Sequence, residues 1–170
     1  MANKEALREL QSRLAERLQQ ARTQERVAAW LAVECGGRGF LLPLEQAGEI
    51  FAVAPLVAVP HTQAWFAGVA NLRGGLYGVV DLARFIGLAS QPGDEARLVV
   101  FNPDMELNCA LLVERLAGLR NAGQLEPEAE ADAPRPAFVG ARYVDDAGRR
   151  WQELNLAALA ADESFMRIVA

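Results

Sequence analysis

The sequence predicts a mainly β protein: two small barrels preceded by one N-terminal helix, with short helices at strand ends. Three observations predict it. The first stretch repeats leucine at helical spacing. After it, short apolar runs alternate with Gly-, Asn- and Asp-rich turns. The part from residue 27 onward also repeats itself once, in order.

The elements follow in chain order. Residues 3–26 carry Leu7, Leu10, Leu14, Leu18 and Ala21 at spacings of three and four, which places them on one face of a helix, with Glu, Arg and Gln on the other. Packing on its own domain is the favoured role of that face; a partner-binding or dimerising face is the alternative. Strands are then predicted at Val27–Glu34, Gly39–Pro43, Glu49–Ala54, Gly68–Leu72, Leu76–Val80 and Arg97–Phe101, and further at Leu107–Val113, Leu116–Leu119, Phe138–Val144 and Arg150–Leu154. Gly36-Gly37 and Gly74-Gly75 are expected to supply the positive φ of tight hairpins. Asn102-Pro103-Asp104 and Asp145-Asp146-Ala147-Gly148 are further turns. Short helices are expected at Asp81–Ile86 and Leu156–Ala161, with Asp81 and Asn155 as N-caps. Pro127, Pro134 and Pro136 exclude regular structure from Glu126–Pro136, which reads as a mobile acidic loop.

The repeat is visible in the segments themselves. Phe66-Ala67-Gly68 opens a strand, turn, strand and short helix that ends in Asp81-Leu82. Phe138-Val139-Gly140 opens a similar stretch that ends in Asn155-Leu156. Upstream, Leu44-Glu45-Gln46 and Val113-Glu114-Arg115 follow comparable strand pairs. The expected organisation is a helix over 1–26 and one domain over 27–163. Its barrel subdomains are expected at about 27–90 and 96–160.

Composition excludes several functions. The 170 residues are 52% apolar and carry a net charge of −5, which suits a folded acidic domain and not a phosphate-neutralising surface. No nucleic acid partner is expected. The apolar run Ile50–Pro60 is short and broken by Pro55, so no direct membrane insertion is expected. No signal-peptide pattern opens the chain, and a cytoplasmic location is expected. Cys35 and Cys109 stand alone in apolar runs and read as reduced core thiols. A single histidine, His61, supplies no zinc site. Ser12, Ser90 and Ser164 sit in no nucleophile elbow. Arg73-Gly74-Gly75 reads as a hairpin turn, not a phosphate loop. Asp145-Asp146 and the acidic loop offer paired carboxylates, but in turns expected to be exposed; Asp81 has a rival catalytic reading, and capping explains it better. No catalytic residue, metal or cofactor is assigned.

The run Phe66-Ala67-Gly68-Val69-Ala70-Asn71-Leu72-Arg73-Gly74, followed by Val79-Val80-Asp81-Leu82, resembles the signature of the CheW-like domain family: a G-x-x-N-L-R-G hairpin leading to V-V-D-L. Glu49-Ile50, Arg97–Phe101 and Leu107–Leu119 resemble its other strands, so the resemblance covers about 27–163. Val59–Phe66 and the long first helix resemble the branch encoded with type IV pilus machinery.

The resemblance implies two five-stranded SH3-like barrels that share an apolar interface, and an adaptor without catalysis. It implies two partners: the cytoplasmic helical tip of a chemoreceptor, and the CheW-like regulatory domain of a histidine kinase. The chain would be recruited to membrane receptor arrays through them. Arg73 and Glu49 match residues that lie together at the family's receptor-binding region. Ala47, Gly68 and Leu98 match positions lining its receptor groove. Gly78 departs from the pattern, since many members carry proline there. A flagellar coupling protein is one alternative; a small-molecule-binding barrel or an enzyme using Asp81 is another.

Overall fold

The computed structural model describes residues 2–25, 29–130 and 132–170. The expected strand start at Val27 and the helix end at Arg26 lie outside them. Helix α1 spans Ala2–Glu25. Strands β1 (Ala29–Cys35), β2 (Arg38–Pro43), β3 (Ala47–Ala52), β4 (Phe66–Leu72) and β5 (Gly75–Asp81) follow, and β5 runs into helix α2 (Leu82–Phe85). The second half holds β6 (Arg97–Phe101), β7 (Cys109–Val113), β8 (Arg115–Asn121) and β9 (Leu125–Pro127), then β10 (Val139–Asp145) and β11 (Arg150–Leu154). Helices α3 (Leu156–Ala160) and α4 (Glu163–Met166) close the chain. Both expected caps are present. Asp81 Oδ1 accepts from the Arg84 N–H at 3.2 Å, and Asn155 Oδ1 from the Ala158 N–H at 2.8 Å.

The strands form two sheets, ordered β8-β1-β2-β11-β10-β9 and β3-β6-β7-β5-β4. The halves of the repeat are therefore not the sheets, and the expected division into 27–90 and 96–160 is corrected. Each half gives its first two strands to one sheet and the rest to the other: β1 and β2 join β8, β9, β10 and β11, while β6 and β7 join β3, β4 and β5. Parallel pairs stitch the halves together, β11 beside β2 and β5 beside β7. Local hairpins form within a half, but each sheet closes only through strands from the other.

This exchange places the core. Along β6, Val99 and Phe101 face a large core shared by both sheets, while Leu98 and Val100 face the interior of the five-stranded sheet. Along β7, Cys109, Leu111 and Val113 face the shared core, and Ala110 and Leu112 the interior. On β1, Leu31 and Val33 face the shared core, whereas Trp30 and Ala32 line the interior of the six-stranded sheet. Strands buried on both faces read as unbroken apolar runs, which is why these segments do not alternate with polar residues. Trp65, Phe85, Phe138 and Phe165 pack edge-on, tilted or stacked against one another beside that shared core, and Phe165 also stacks on Phe101. Both cysteines are free and buried. Burial pushes each thiol up to about 12, with Glu114 and Asp81 adding to the effect at Cys35.

Two expectations are corrected. The face of α1 does not pack on the domain: Leu7, Leu10, Leu14 and Leu18 are 53–63% exposed. Glu126–Pro136 is not free of regular structure at its start, since β9 pairs antiparallel with β10. Pro127 is tolerated because β9 is an edge strand, where a missing N–H costs no ladder bond. Leu125 is buried with Trp30 and Trp151, Glu128 pairs with Arg150 at 2.8 Å, and Arg135 pairs with Glu130.

Candidate partner-binding surface

The β4–β5 hairpin turns on Arg73-Gly74, flanked by the Leu72–Gly75 pair. Both turn residues have positive φ, 49° and 79°. That is the mirror-image turn that matches strand twist in a two-residue hairpin. The expected pair Gly74-Gly75 is thus displaced by one residue, and arginine takes a left-handed position. Asn71 Oδ1 holds the turn by accepting from the Gly74 N–H at 3.0 Å.

This turn lifts Arg73 into solvent and aims it at β3. Its guanidinium lies 2.5 Å from Glu49 Oε1 and 5.8 Å from the Phe51 ring centre. Glu49 and Phe51 are two apart on a strand, so they share a face. Strand β3 and the β4–β5 hairpin lie at opposite edges of the five-stranded sheet. The ion pair between them therefore means that the sheet curls until its edges meet, as a barrel does. Arg73 keeps 74% of its side chain exposed, and Glu49 keeps 43%. Ile50, Val53, Val57 and Leu76, on or beside the same elements, are exposed apolar residues. Phe51 was not legible as part of this surface; the period of two along β3 is the signal that could have found it.

The other three expected residues are not presented in the same way. Leu98 is 0% exposed and packs inside the sheet, so it offers a partner no surface. Ala47 is half-buried, pairs with Phe101 and packs on the shared core. Gly68 is buried under the chain's own Val57–Ala58 segment. Its φ is 131°, and a Cβ there would lie 2.4 Å from the Val57 carbonyl oxygen. The Val57–Val69 bridge requires that close approach, and the strand bulges at the same place. Glycine at 68 is thus explained by the chain's own backbone. Gly78, the departure from the family pattern, uses its N–H to donate to the Asn108 carbonyl at 3.0 Å, a bond that proline would forfeit.

Asp81 is structurally occupied. It is 6% exposed, caps α2, accepts from the Ser90 hydroxyl at 2.5 Å and lies 3.5 Å from the Arg84 guanidinium. Among the described residues, no group of three or more His, Cys, Asp or Glu could hold a metal ion. No helix among them is long and apolar enough to cross a membrane.

A second charged cluster, on the six-stranded sheet, was not anticipated. Glu34 on β1 accepts from Arg115 at 2.5 and 2.9 Å and also pairs with Arg149. Burial opposes its ionisation, but these bonds and charges outweigh burial and hold the carboxyl below its ordinary range. Arg149 also covers the Trp151 ring at 4.5 Å, and Arg120 lies 5.5 Å from it.

A curled five-stranded sheet and a six-stranded sheet thus share one core, with a charged clasp in an apolar setting and Asp81 locked in a cap. The chain belongs to the CheW-like domain family, whose model matches residues 29–164. It is similar to Protein PilI of Pseudomonas aeruginosa, with 30% identity over 100 residues, which are 58% of this chain and 56% of that protein. The match thus spans a little over half of that relative's length. It is also 25% identical over 119 residues to a probable chemotaxis protein CheW of Rhizobium etli, covering 68% of this chain and 77% of the relative. Its fold is that of the scaffolding protein TtCheW from Thermoanaerobacter tengcongensis, with a TM-score of 0.64 at 17% identity, over 75% of this chain and 88% of that one.

Proposed function

We propose that the chain is a non-enzymatic adaptor that couples the helical tip of a chemoreceptor to the CheW-like regulatory domain of a histidine kinase in type IV pilus twitching motility. The observation that carries the reading is the family match over residues 29–164, with the family's hairpin motif intact. The similarity to PilI supports the pilus branch. The curled five-stranded sheet supplies one surface, at Arg73, Glu49 and Phe51. Arginine's rigid donor fork suits a carboxylate on a helical partner, and the exposed apolar residues nearby supply contact area.

Two partners held at once place kinase and receptor in one assembly. A receptor state that binds the adaptor better can then bias the kinase. Recruitment to a membrane array would follow from these contacts.

Calorimetric titration with the CheW-like regulatory domain of the kinase from the same organism tests the reading. Saturable one-to-one heat supports it. Absence of heat and of co-elution, with both proteins folded, overturns it. Arg73→Glu should then weaken receptor-tip binding while leaving the kinase titration unchanged.

A further inference from the structure

Among the described residues, the leucines of α1 are covered by no other element. Leu7, Leu10, Leu14 and Leu18 are 58%, 59%, 53% and 63% exposed, and every residue from Glu5 to Gln20 is exposed. Their spacings of three, four and four keep them within an arc of about 80° at 3.6 residues per turn. A helix facing a globular core usually shows an apolar face of about 100° or more; a narrower stripe is the seam used between two helices.

The charges along the same helix are sorted. By the same geometry Arg17 and Arg13 lie within about 60° of one margin of the leucine seam, and Arg8 lies about 80° from the other. Glu5, Glu9 and Glu16 lie on the back, roughly opposite the seam. Over the stretch Leu7–Leu18, a helix placed on the leucines would therefore meet arginines on both sides and no carboxylate; Glu25, seven residues beyond Leu18, falls in line with the seam by its spacing.

That sorting selects the occupant. A second copy of α1, parallel or antiparallel, would set arginine margins against arginine margins, which is unfavourable. A membrane-surface helix carries basic residues over its polar face, whereas Glu5, Glu9 and Glu16 fill that face here. We infer that α1 is a docking helix for an amphipathic helix of another protein, whose apolar seam is flanked by carboxylates. Leucines supply the contact, and the arginine margins set partner choice and register. This inference does not rest on the adaptor reading, because it uses neither sheet.

The test uses the full chain and two synthetic helical peptides. Both carry leucine at the same three-four-four spacing; one has glutamate at the flanking positions, the other lysine. Fluorescence anisotropy with labelled peptide should show saturable binding of the glutamate peptide, weakening as salt is raised. Leu10→Asp with Leu14→Asp should weaken it by roughly tenfold or more. Arg13→Glu with Arg17→Glu leaves the seam intact and should turn the preference toward the lysine peptide. Equal binding of both peptides, or of neither while circular dichroism shows α1 helical, overturns the inference. A dimer in sedimentation that Leu10→Asp abolishes overturns it in favour of a second copy. Leucine-dependent binding to phosphatidylglycerol vesicles, with no peptide bound, overturns it in favour of a lipid surface. The kinase titration is read separately, so failure here leaves the adaptor reading standing, and the reverse also holds.

Discussion

Inside the six-stranded sheet, Trp30 and Trp151 fill the interior with Leu41 and Leu125, and Tyr143 packs against them. Inside the five-stranded sheet the buried residues are aliphatic, Ala70, Leu72, Val79, Leu98, Val100, Ala110 and Leu112 among them, and the half-buried Phe51 and Tyr77 pack against them. The strand orders correspond, β8-β1-β2-β11-β10 to β3-β6-β7-β5-β4, so one topology is filled in two ways. The tryptophans bring obligations that the aliphatic residues do not. Trp30 Nε1 donates to Glu153 at 2.9 Å and Trp151 Nε1 to Asp145 at 3.0 Å. A buried indole N–H needs such a partner. Glu153 and Asp145 are thereby committed to structure, and the arginines over Trp151 and around Glu34 belong to the same arrangement. The aliphatic interior needs no polar support. The clasp between its edges, Arg73 to Glu49, stays largely in solvent and is available for another task. The difference teaches where each sheet can spend its charges.

The comparison can be broken by emptying each interior in turn. Trp151→Ala should cost about 3–5 kcal/mol and Leu98→Ala about 2–5 kcal/mol, read from urea unfolding. Because the shared core ties the sheets together, each variant should shift one common transition. A biphasic curve for either would show that the sheets unfold separately. Gly68→Ala should cost about 1–3 kcal/mol through its left-handed backbone alone, and more from the clash with the Val57 carbonyl. Wild-type stability in that variant would mean that the 53–65 segment lifts off the sheet without loss.

The charged clusters sharpen the contrast further. Glu34 ionises more readily folded than unfolded, so its contribution is present above its ordinary value of 4.5 and is lost as pH falls through the lower folded value. Glu34→Gln should flatten that part of the pH dependence of unfolding. The smallest effect on stability is expected at the clasp: Arg73→Ala should cost no more than about 1 kcal/mol, since the pair is largely solvated. A larger loss in a denaturant titration would make Arg73 a structural residue of the barrel first and a binding residue second.

Much of this molecule was legible in its residues. Apolar runs between turn signals placed ten of the strands to within a few residues, because strand length and turn chemistry are local properties. Asp81 and Asn155 announced their helices because a cap acts within one turn. The family was legible from the Gly68–Gly74 hairpin and the Val79–Leu82 strand end, and the repeat from segments in matching order.

Phase and pairing were not legible. In the run Leu98-Val99-Val100-Phe101 every residue is buried, so alternation is certain but nothing in the run says which face is the barrel interior. Leu98 was therefore placed on a groove although it points inward. The short edge strand β9 was hidden by its proline, whose cost depends on whether a neighbouring strand lies beyond it. The leucine seam of α1 has the same spacing whether it packs at home or elsewhere; only the absence of a covering surface in the fold decides. The exchange of strands between the halves was beyond reach for the same reason. The sequence by itself determined which segments become strands, where they turn and which family they belong to, since those depend on contacts between near neighbours. Which half of the repeat completes which sheet, and that Arg73 meets Glu49 across a curled edge, depend on contacts between distant segments and were settled only when the sheets closed on their shared core.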